Sequence, residues 1–251
     1  MCTVTFFPLD KQSYILSMNR DELKSRKQAI PPKFEFKSDI QFVRPIDGDK
    51  GGTWIAVNEN HLSLCIMNWY QAYDNIDKEK NYQTRGNIIH ELIDTRDLKS
   101  CTQKLEQLDL KNYQPFRLVG IQINPMKIVR WLWNGLQLDI VNDPVDKQMW
   151  ISAGPEYDEV YQKRNEVFQM YARNNGSISL ADVKKLHASQ YPEPGKYAIS
   201  MSADIAHTVS NTIIYSKSQH IEMHYLDGFP AKSDHWIIKD MPTRKEIETS
   251  R

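Results

Sequence analysis

The chain has 251 residues, 40% of them hydrophobic, and its 32 basic residues are balanced by 32 acidic ones. This composition supports a folded core, and the zero net charge excludes the broad basic surface of a general nucleic-acid or anionic-membrane binder. No apolar run approaches the roughly 18 residues of a membrane-spanning helix, residues 1–8 lack the basic region of a secretory signal, and three unclustered cysteines fit a reducing compartment. We therefore expect one cytoplasmic domain over residues 1–251, with a polar tail from about residue 240.

The first part of the chain carries strand patterns. Residues 3–7 and 14–18 are short β-prone runs joined by a polar turn, and this arrangement predicts a hairpin. Two further runs, at residues 53–57 and 62–67, are separated by a second polar turn. Apolar residues at helical spacing appear only afterwards, between residues 88 and 108.

The second part carries two groups of strands around two helices. Strand patterns are found at residues 116–123, 127–133, 136–141, 208–215, 220–225 and 235–238. An apolar stripe predicts a helix over residues 156–173, and Ser179 with Asp182 three residues later predicts the capped start of another. Because strands and helices come in blocks, the sequence predicts an α+β fold with antiparallel sheets, and two blocks of each favour helices outside two sheets.

Cys2 is the first candidate catalytic residue. It becomes the N-terminal residue if Met1 is removed, and a small second residue permits that removal. The residue would then hold both a nucleophile and a base, since the α-amino group has an unperturbed pKa of about 7.7–8.0 and can take the thiol proton. The alternative is an ordinary cysteine at a frayed chain end, which the strand pattern from Thr3 argues against.

Four polar residues, Asn19 to Glu22, end the second predicted strand. Such tetrapeptides are commonly solvated turns. A hairpin, however, would return Arg20 and Asp21 to the side of Cys2. A guanidinium there would lower the pKa of the thiol, and a carboxylate could hold the α-ammonium group in position.

Two features near the next pair of strands are also candidates. Residues 47–54 include three glycines without the spacing of a phosphate-binding loop, and we interpret them as a tight turn that lets the backbone approach a ligand. Asn68 ends the strand beside Trp69 and Tyr70. Its amide could donate to an oxyanion, and a strand-capping asparagine is the alternative.

The late histidines raise the question of a metal site. His220 and His224 lie four residues apart on a predicted strand, so their rings would share one face of the sheet. The pattern differs from that of a zinc-binding helix and has no cysteine nearby. We therefore expect no metal site here.

Three motifs, in this order, resemble those of one family. They are Cys2-Thr-Val-Thr-Phe, Asn19-Arg-Asp-Glu22 and Gly51-Gly-Thr-Trp-Ile-Ala-Val-Asn58. Together they are similar to the NRDE family, also called the transport and Golgi organization protein 2 family. Weaker similarity at residues 112–119 and 208–214 extends the resemblance over most of the chain.

The resemblance implies the four-layer αββα sandwich of the N-terminal-nucleophile hydrolases. It assigns Cys2 as the nucleophile, and Arg20 and Asp21 as the pair that orders it. It also assigns Asn68 as the oxyanion donor, as in bile-salt and penicillin V acylases, which hydrolyse a non-peptide C–N amide bond. The residues expected to contact a substrate are Asn19, Glu22, Trp54, Asn58 and His207.

Two positions depart from the pattern of these relatives. Ser152 is followed by Ala153, where the family usually has asparagine, and His207 stands where acylases tend to have arginine. The first change removes an oxyanion donor and the second removes a fixed positive charge. Both weaken the case for efficient turnover and leave the fold unaffected.

Two hypotheses of function follow. In the first, the protein is an amidase-type hydrolase of a small acylated substrate, works without a cofactor and forms an acyl-enzyme on Cys2. In the second, it keeps the fold but binds or transports haem or an acyl lipid, with His207, His220 or His224 as the candidate haem ligand. Neither hypothesis involves nucleic acid or a membrane span.

Overall fold

The computed structural model describes residues 2–154, 156–173 and 178–242. Met1 and residues 243–251 of the predicted polar tail therefore lie outside the described residues. Within these ranges the chain forms thirteen strands and four α-helices, with two short 3-10 helices at Tyr70–Asn75 and Leu110–Asn112. None of the described helices is both long and apolar enough to cross a membrane.

The strands and helices follow one another in two groups. The first group is β1 (Cys2–Asp10), β2 (Ser13–Leu23), β3 (Ile30–Lys37), β4 (Ile40–Ile46), β5 (Ile55–Asn58), β6 (Ser63–Asn68), α1 (Gly86–Leu92) and α2 (Leu98–Glu106). The second group is β7 (Phe116–Ile123), β8 (Met126–Trp133), β9 (Leu138–Asp143), β10 (Gln148–Ser152), α3 (Tyr157–Ala172), α4 (Leu180–Ala188), β11 (Ala206–Ser216), β12 (His220–Asp227) and β13 (Trp236–Pro242).

These strands form two antiparallel sheets. The first sheet has six strands in the order β10-β1-β2-β11-β12-β13, and the second has seven in the order β3-β4-β5-β6-β7-β8-β9. The second sheet follows chain order throughout. The first sheet joins the N-terminal hairpin to strands from the last third of the chain, so β1 and β2 lie in its interior.

Apolar side chains fill three layers between these elements. Val4 and Val57 belong to the core between the two sheets. Ile89 of α1 packs in the layer outside the second sheet, and Phe168 of α3 packs in the layer outside the first. The result is a four-layer αββα sandwich, which confirms the predicted fold class.

The N-terminal hairpin confirms the expectation on which the candidate site depends. Its register pairs Cys2 with Arg20 and Thr5 with Ser17. Strand β2 is buried from Ser13 to Asp21 on both of its faces, because the second sheet covers one face and the helices cover the other. The continuous apolar run from Tyr14 to Leu16 is typical of a strand with two buried faces.

The predicted helices are also found. The helical region expected between residues 88 and 108 consists of α1 and α2, and α3 matches the block at 156–173. At the start of α4, the hydroxyl of Ser179 accepts a hydrogen bond from the backbone N–H of Asp182 at 3.2 Å, and the Asp182 carboxylate accepts one from the N–H of Ser179 at 3.0 Å. This is the expected capping box.

Three strands were not predicted from the sequence, namely β3, β4 and β10. Strand β3 contains Pro31 and Pro32, which cannot donate to a sheet ladder and therefore argue against a strand. It is tolerated because β3 is an edge strand with only one neighbour. Strand β10 is five residues long, too short for a clear pattern.

The glycine-rich segment before β5 makes a close approach, but to another part of the chain. A Cβ atom on Gly52 would lie 2.9 Å from Cα of Gly86, and one on Gly86 would lie 2.6 Å from the backbone nitrogen of Thr53. The first residue of α1 is thus in direct backbone contact with the loop that leads into β5. This packing requires glycine at these two positions.

We predict that Gly86→Ala lowers the free energy of unfolding by about 1–3 kcal/mol, since the added methyl group meets backbone atoms that cannot rotate away. The measurement is urea denaturation followed by tryptophan fluorescence. Gly154→Ala is the matched control, because a Cβ atom at Gly154 has no heavy atom within 4 Å. Equal unfolding midpoints for the two variants would contradict the proposed contact.

Candidate active site

A cleft of about 490 Å³ lies between the start of β1, the end of β2 and the end of β6. It combines residues from both sheets. The predicted site residues that line it are Cys2, Arg20, Asp21, Glu22, Trp54 and Asn68. The four residues predicted to be catalytic therefore share one cleft.

Cys2 begins β1, which has a neighbouring strand on each side in the first sheet. Its cross-strand partners are Arg20 on β2 and Ser152 on β10. Burial raises the pKa of its thiol, and the charge of Asp21 raises that pKa further, although the backbone N–H of Asp21 donates to the sulfur and acts in the opposite direction. Burial is the largest of these causes and the net shift is upward, so the structure does not show the lowered thiol pKa that the sequence predicted.

The guanidinium of Arg20 is paired with two carboxylates. Its Nη2 lies 2.5 Å from a carboxylate oxygen of Asp47 and 3.3 Å from one of Glu22. Its guanidinium also lies 4.4 Å from the ring centroid of Trp54, in cation–π contact. Arg20 therefore connects β2 to the glycine-rich segment and to Trp54, the residue directly before β5.

Asp47 is a site residue that was not predicted. It also accepts a hydrogen bond from Arg26 at 2.6 Å and two from the backbone N–H groups of Asp49 and Lys50. Burial opposes its ionisation, but these hydrogen bonds and the charge of Arg20 lower the pKa of Asp47 below its usual value. Asp47 is thus an ionised anchor for two arginines at the wall of the cleft.

Asp21 is held from the opposite side of β2, by residues that were also not predicted. Its carboxylate lies 3.5 Å from Nη1 of Arg164 on α3 and accepts a hydrogen bond from the hydroxyl of Thr208 at 2.6 Å. Neither side chain of the ion pair is exposed. Burial raises the pKa of Asp21 and lowers that of Arg164, and the opposite charge of each partner acts against its shift.

Arg164 also reaches β1 directly. Its Nη1 donates to the hydroxyl of Thr3 at 2.5 Å, and its Nη2 donates to the carbonyl of Lys196 at 3.1 Å. Thr3 follows Cys2 immediately. One buried guanidinium therefore connects the first strand, the second strand and the outer helical layer beneath the candidate nucleophile.

Asn68 reaches the cleft from the end of β6. Its side-chain amide donates a hydrogen bond to the hydroxyl of Tyr70 at 2.7 Å. Burial is the main cause that raises the pKa of Tyr70, and the Cys2 thiolate contributes in the same direction. This places the phenol within electrostatic reach of the nucleophile.

Two predicted substrate-contacting residues have structural roles instead. The side-chain amide of Asn19 donates to the carbonyls of His187 and Ile199, which fastens β2 to the helical layer. That of Asn58 donates to the carbonyls of Ile93 and Thr95 at 2.7 and 2.8 Å. Both asparagines are fully buried and neither lines the cleft, so the structure does not bring them together with Cys2.

His207 lies in a neighbouring pocket of about 250 Å³, not in the cleft with Cys2. It is the cross-strand partner of Glu22, and its ring makes an edge contact with Phe229 at 6.2 Å between centroids. Arg20 borders both cavities. A direct contact between His207 and a substrate in the main cleft is therefore not supported.

Ala153 stands where the family usually has asparagine, and its backbone carbonyl binds Gln71. The side-chain amide of Gln71 donates to the backbone carbonyls of Ala153 at 2.9 Å and Gly154 at 3.1 Å. Gln71 thus fixes the chain that leaves β10 next to Cys2. No side-chain donor replaces the asparagine at Ala153 itself.

The late histidines bind a carboxylate. The Nε2 atoms of His220 and His224 lie 3.0 and 2.8 Å from the two carboxylate oxygens of Glu222. Burial opposes ionisation of Glu222, but hydrogen bonds from Lys217 and both histidines lower its pKa to about 2. Within the described part of the chain, no three histidine, cysteine or acidic residues are grouped so that they could hold a metal ion.

A signal for the two unpredicted residues is present in the sequence. Arg164 lies four residues after Val160 and four before Phe168 in the predicted helix, so it interrupts an apolar stripe. A charge on the buried face of a helix needs a partner. Asp47 gives a weaker signal, since an aspartate before a glycine is typical of any turn.

The four-layer architecture is the N-terminal-nucleophile hydrolase fold. Two variants of the conjugated bile acid hydrolase from Clostridium perfringens superpose with TM-scores of 0.59 and 0.61 at 12% and 11% identity, covering 96% of this chain and 92% of that one. The N-acylethanolamine-hydrolyzing acid amidase ortholog from Caenorhabditis elegans gives 0.58 at 10% identity, covering 85% of this chain and 92% of that chain. At such identities the similarity concerns the fold.

The family model for Transport and Golgi organisation 2 matches residues 1–222. The chain belongs to this family, as the motifs around Cys2 and Arg20 predicted. No curated protein sequence matches it significantly.

We predict that Arg164→Met lowers the free energy of unfolding by about 3–5 kcal/mol, since it leaves the buried carboxylate of Asp21 without this cation. The double variant Arg164→Met/Asp21→Asn is expected to recover part of that loss, because no buried charge remains. Both are measured by urea denaturation at pH 7. If the double variant is as unstable as the sum of the two single variants, the ion pair does not couple these residues.

We predict that Asp47→Asn destabilises the protein at pH 7 and not at low pH. The folded-state pKa of Asp47 lies below its unfolded value of 3.8, so its contribution is present above that pH and is lost as the pH falls below it. The measurement is the urea midpoint between pH 7 and pH 3, with the exposed Asp234→Asn as control. A difference that is independent of pH would contradict this assignment.

Proposed function

We propose that the protein is an N-terminal cysteine hydrolase that cleaves a non-peptide C–N amide bond of a small acylated substrate. One observation carries the proposal: Cys2, Arg20 and Asp21 of the first sheet line the same cleft as Asn68 of the second. An acyl group in this cleft would have its carbonyl between a nucleophilic sulfur and an amide donor. This is the arrangement that covalent acyl transfer requires.

Removal of Met1 is a condition of the mechanism, because it converts the backbone nitrogen of Cys2 into a free α-amine. Burial raises the pKa of the thiol, so the sulfur is protonated at neutral pH and its attack needs a base. The α-amine, with an unperturbed pKa of about 7.7–8.0, is that base. As Sγ bonds to the carbonyl carbon, the thiol proton moves to the amine.

Asn68 then stabilises the oxyanion. Its side-chain amide donates one N–H to the hydroxyl of Tyr70 in this structure. The substrate oxygen would either replace that hydroxyl or accept from the second N–H of the amide. The C–N bond breaks as the leaving amine takes the proton from the α-ammonium group. Water attacks the thioester, its proton passes through the same amine to Sγ, and the carboxylic acid is released.

Asp21 and Arg20 have separate roles in this proposal. Asp21 donates its backbone N–H to the sulfur of Cys2, and the negative charge of its carboxylate would stabilise the α-ammonium group. Arg20 fixes the wall of the cleft through Asp47 and Trp54. Both are therefore positioning residues for the nucleophile.

The names of the structural neighbours agree with this reaction class. One is a hydrolase of conjugated bile acids and another is an amidase that hydrolyses N-acylethanolamines. The alternative, a carrier of haem or an acyl lipid, has less support. The Nε2 atoms of His220 and His224 are engaged by Glu222, and His207 lies outside the cleft with Cys2.

We predict that the active protein lacks Met1, and that Cys2→Ala lowers the hydrolysis of N-acyl amides on the order of a thousandfold or more, because it removes the nucleophile. Intact-protein mass spectrometry measures the processing, and release of free amine measures the activity. Cys65→Ala is the control, since Cys65 is a buried residue of β6 that pairs with Ile55 of β5.

Two results would contradict the proposal. One is activity that survives Cys2→Ala. The other is full activity in a protein that retains Met1. Binding of haem or acyl lipid that is unchanged in Cys2→Ala, in a protein without amidase activity, would favour the carrier.

A further inference from the structure

The cleft contains a cationic group that the proposed reaction does not use. Arg85 lies directly before α1, is half-buried and lines the cleft. Its Nη1 donates to the hydroxyl of Tyr73 at 2.6 Å and to the carbonyl of Pro115 at 3.3 Å. Both acceptors are uncharged, so they orient the guanidinium without neutralising it.

The other edge of this guanidinium is free to bind a ligand. The Nε and Nη2 atoms of Arg85 have no partner among the residues that the structure describes. In the same chain, Arg44 uses its Nε and Nη2 to bind both oxygens of Glu35, and Arg130 binds Asp143 through the same two atoms. This edge matches the geometry of a carboxylate or phosphate.

The remaining charges of the cleft do not supply an anion for Arg85. The carboxylates of Asp47 and Glu22 are paired with Arg20 and Arg26. Asp21 is paired with Arg164 beneath the sheet.

Two lysines increase the positive charge of the cleft. Lys50 and Lys80 also line it, and neither has a carboxylate within ion-pair distance in the described part of the chain. Lys80 instead donates to the carbonyl of Lys111. The positive potential of the cleft is therefore not cancelled from within.

A row of contacts separates Arg85 from the nucleophile. The amide of Asn68 donates to the hydroxyl of Tyr70, the rings of Tyr70 and Tyr73 are 5.1 Å apart between centroids, and Tyr73 accepts from Arg85. Two aromatic rings thus stand between the proposed oxyanion donor and the free guanidinium edge. Arg85 and Asn68 therefore do not contact the same atom of the cleft wall, and an anion at Arg85 would be a separate group from the amide at Cys2.

We propose that Arg85 is a specificity-determining residue and binds a carboxylate or phosphate of the substrate at a distance from the amide bond. The substrates are then N-acyl amides with a remote anionic group. This inference rests on the proposed function for the identity of the amide. The anion site itself depends only on Arg85 and its surroundings.

The test compares charged and neutral amides of equal length. N-acetyl-6-aminohexanoate is paired with N-acetylhexylamine, and N-acetyl-6-aminohexyl phosphate replaces the carboxylate by phosphate. A second pair, adipic acid monomethylamide and N-methylhexanamide, puts the carboxylate on the acyl side. We expect kcat/KM of the unaltered protein to be about tenfold or more higher for at least one anionic amide than for its neutral counterpart. Hydrogen bonds to charged groups are stronger than those between neutral groups.

Arg85→Gln is expected to reduce this ratio to about one, mainly through KM for the anionic amide. Arg85→Lys keeps the charge without the two-point geometry and should retain part of the preference. Arg96→Gln is the matched control, because Arg96 is exposed and does not line the cleft. A preference that persists in Arg85→Gln would overturn the assignment.

A second measurement separates failure of this inference from failure of the proposed function. The same amides are tested for protection of Cys2 against alkylation by iodoacetamide, which needs binding but no turnover. Protection by the anionic amide alone, lost in Arg85→Gln, supports the anion site even in a protein that hydrolyses neither amide. Equal behaviour of charged and neutral amides in both measurements would overturn it.

Discussion

The candidate site depends on the register between β1 and β2. This pairing places Cys2 opposite Arg20, and a shift by one residue would turn every side chain of β1 to the other face of the sheet. The register is secured because both faces are buried: Val4 and Met18 enter the core between the sheets, while Phe7 and Ile15 pack under the helices. The position of the nucleophile is therefore set by the core of the whole sandwich.

The same strand distributes charge to its two faces. Arg20 meets Asp47 on the side of the second sheet, and Asp21 meets Arg164 on the side of the helices. These two buried charges of β2 are thus each paired with an opposite charge from another element. In the proposed reaction the buried thiol of Cys2, whose pKa is raised mainly by burial, therefore passes its proton to the α-amine.

The sequence predicts the elements better than it predicts the use of polar residues. Strong local patterns predicted the hairpin and the capping box at Ser179, and the resemblance to a known family supplied the four-layer class. In contrast, Asn19 and Asn58 carry the same amide as Asn68, and only tertiary structure decides which amide is consumed by backbone carbonyls. Arg164 and Asp21 are 143 residues apart, and no local pattern encodes which anion a buried cation will meet.

The contact between two residues without side chains links both walls of the cleft. Gly52 precedes the loop to Trp54, and Gly86 follows Arg85 directly. Their backbones are in contact, so any movement of α1 relative to the loop before β5 would break this contact. The aromatic partner of Arg20 and the guanidinium of Arg85 therefore lie within two residues of the same backbone contact. With the anion site proposed at Arg85, this contact would set how far a ligand must extend from one side chain to the other.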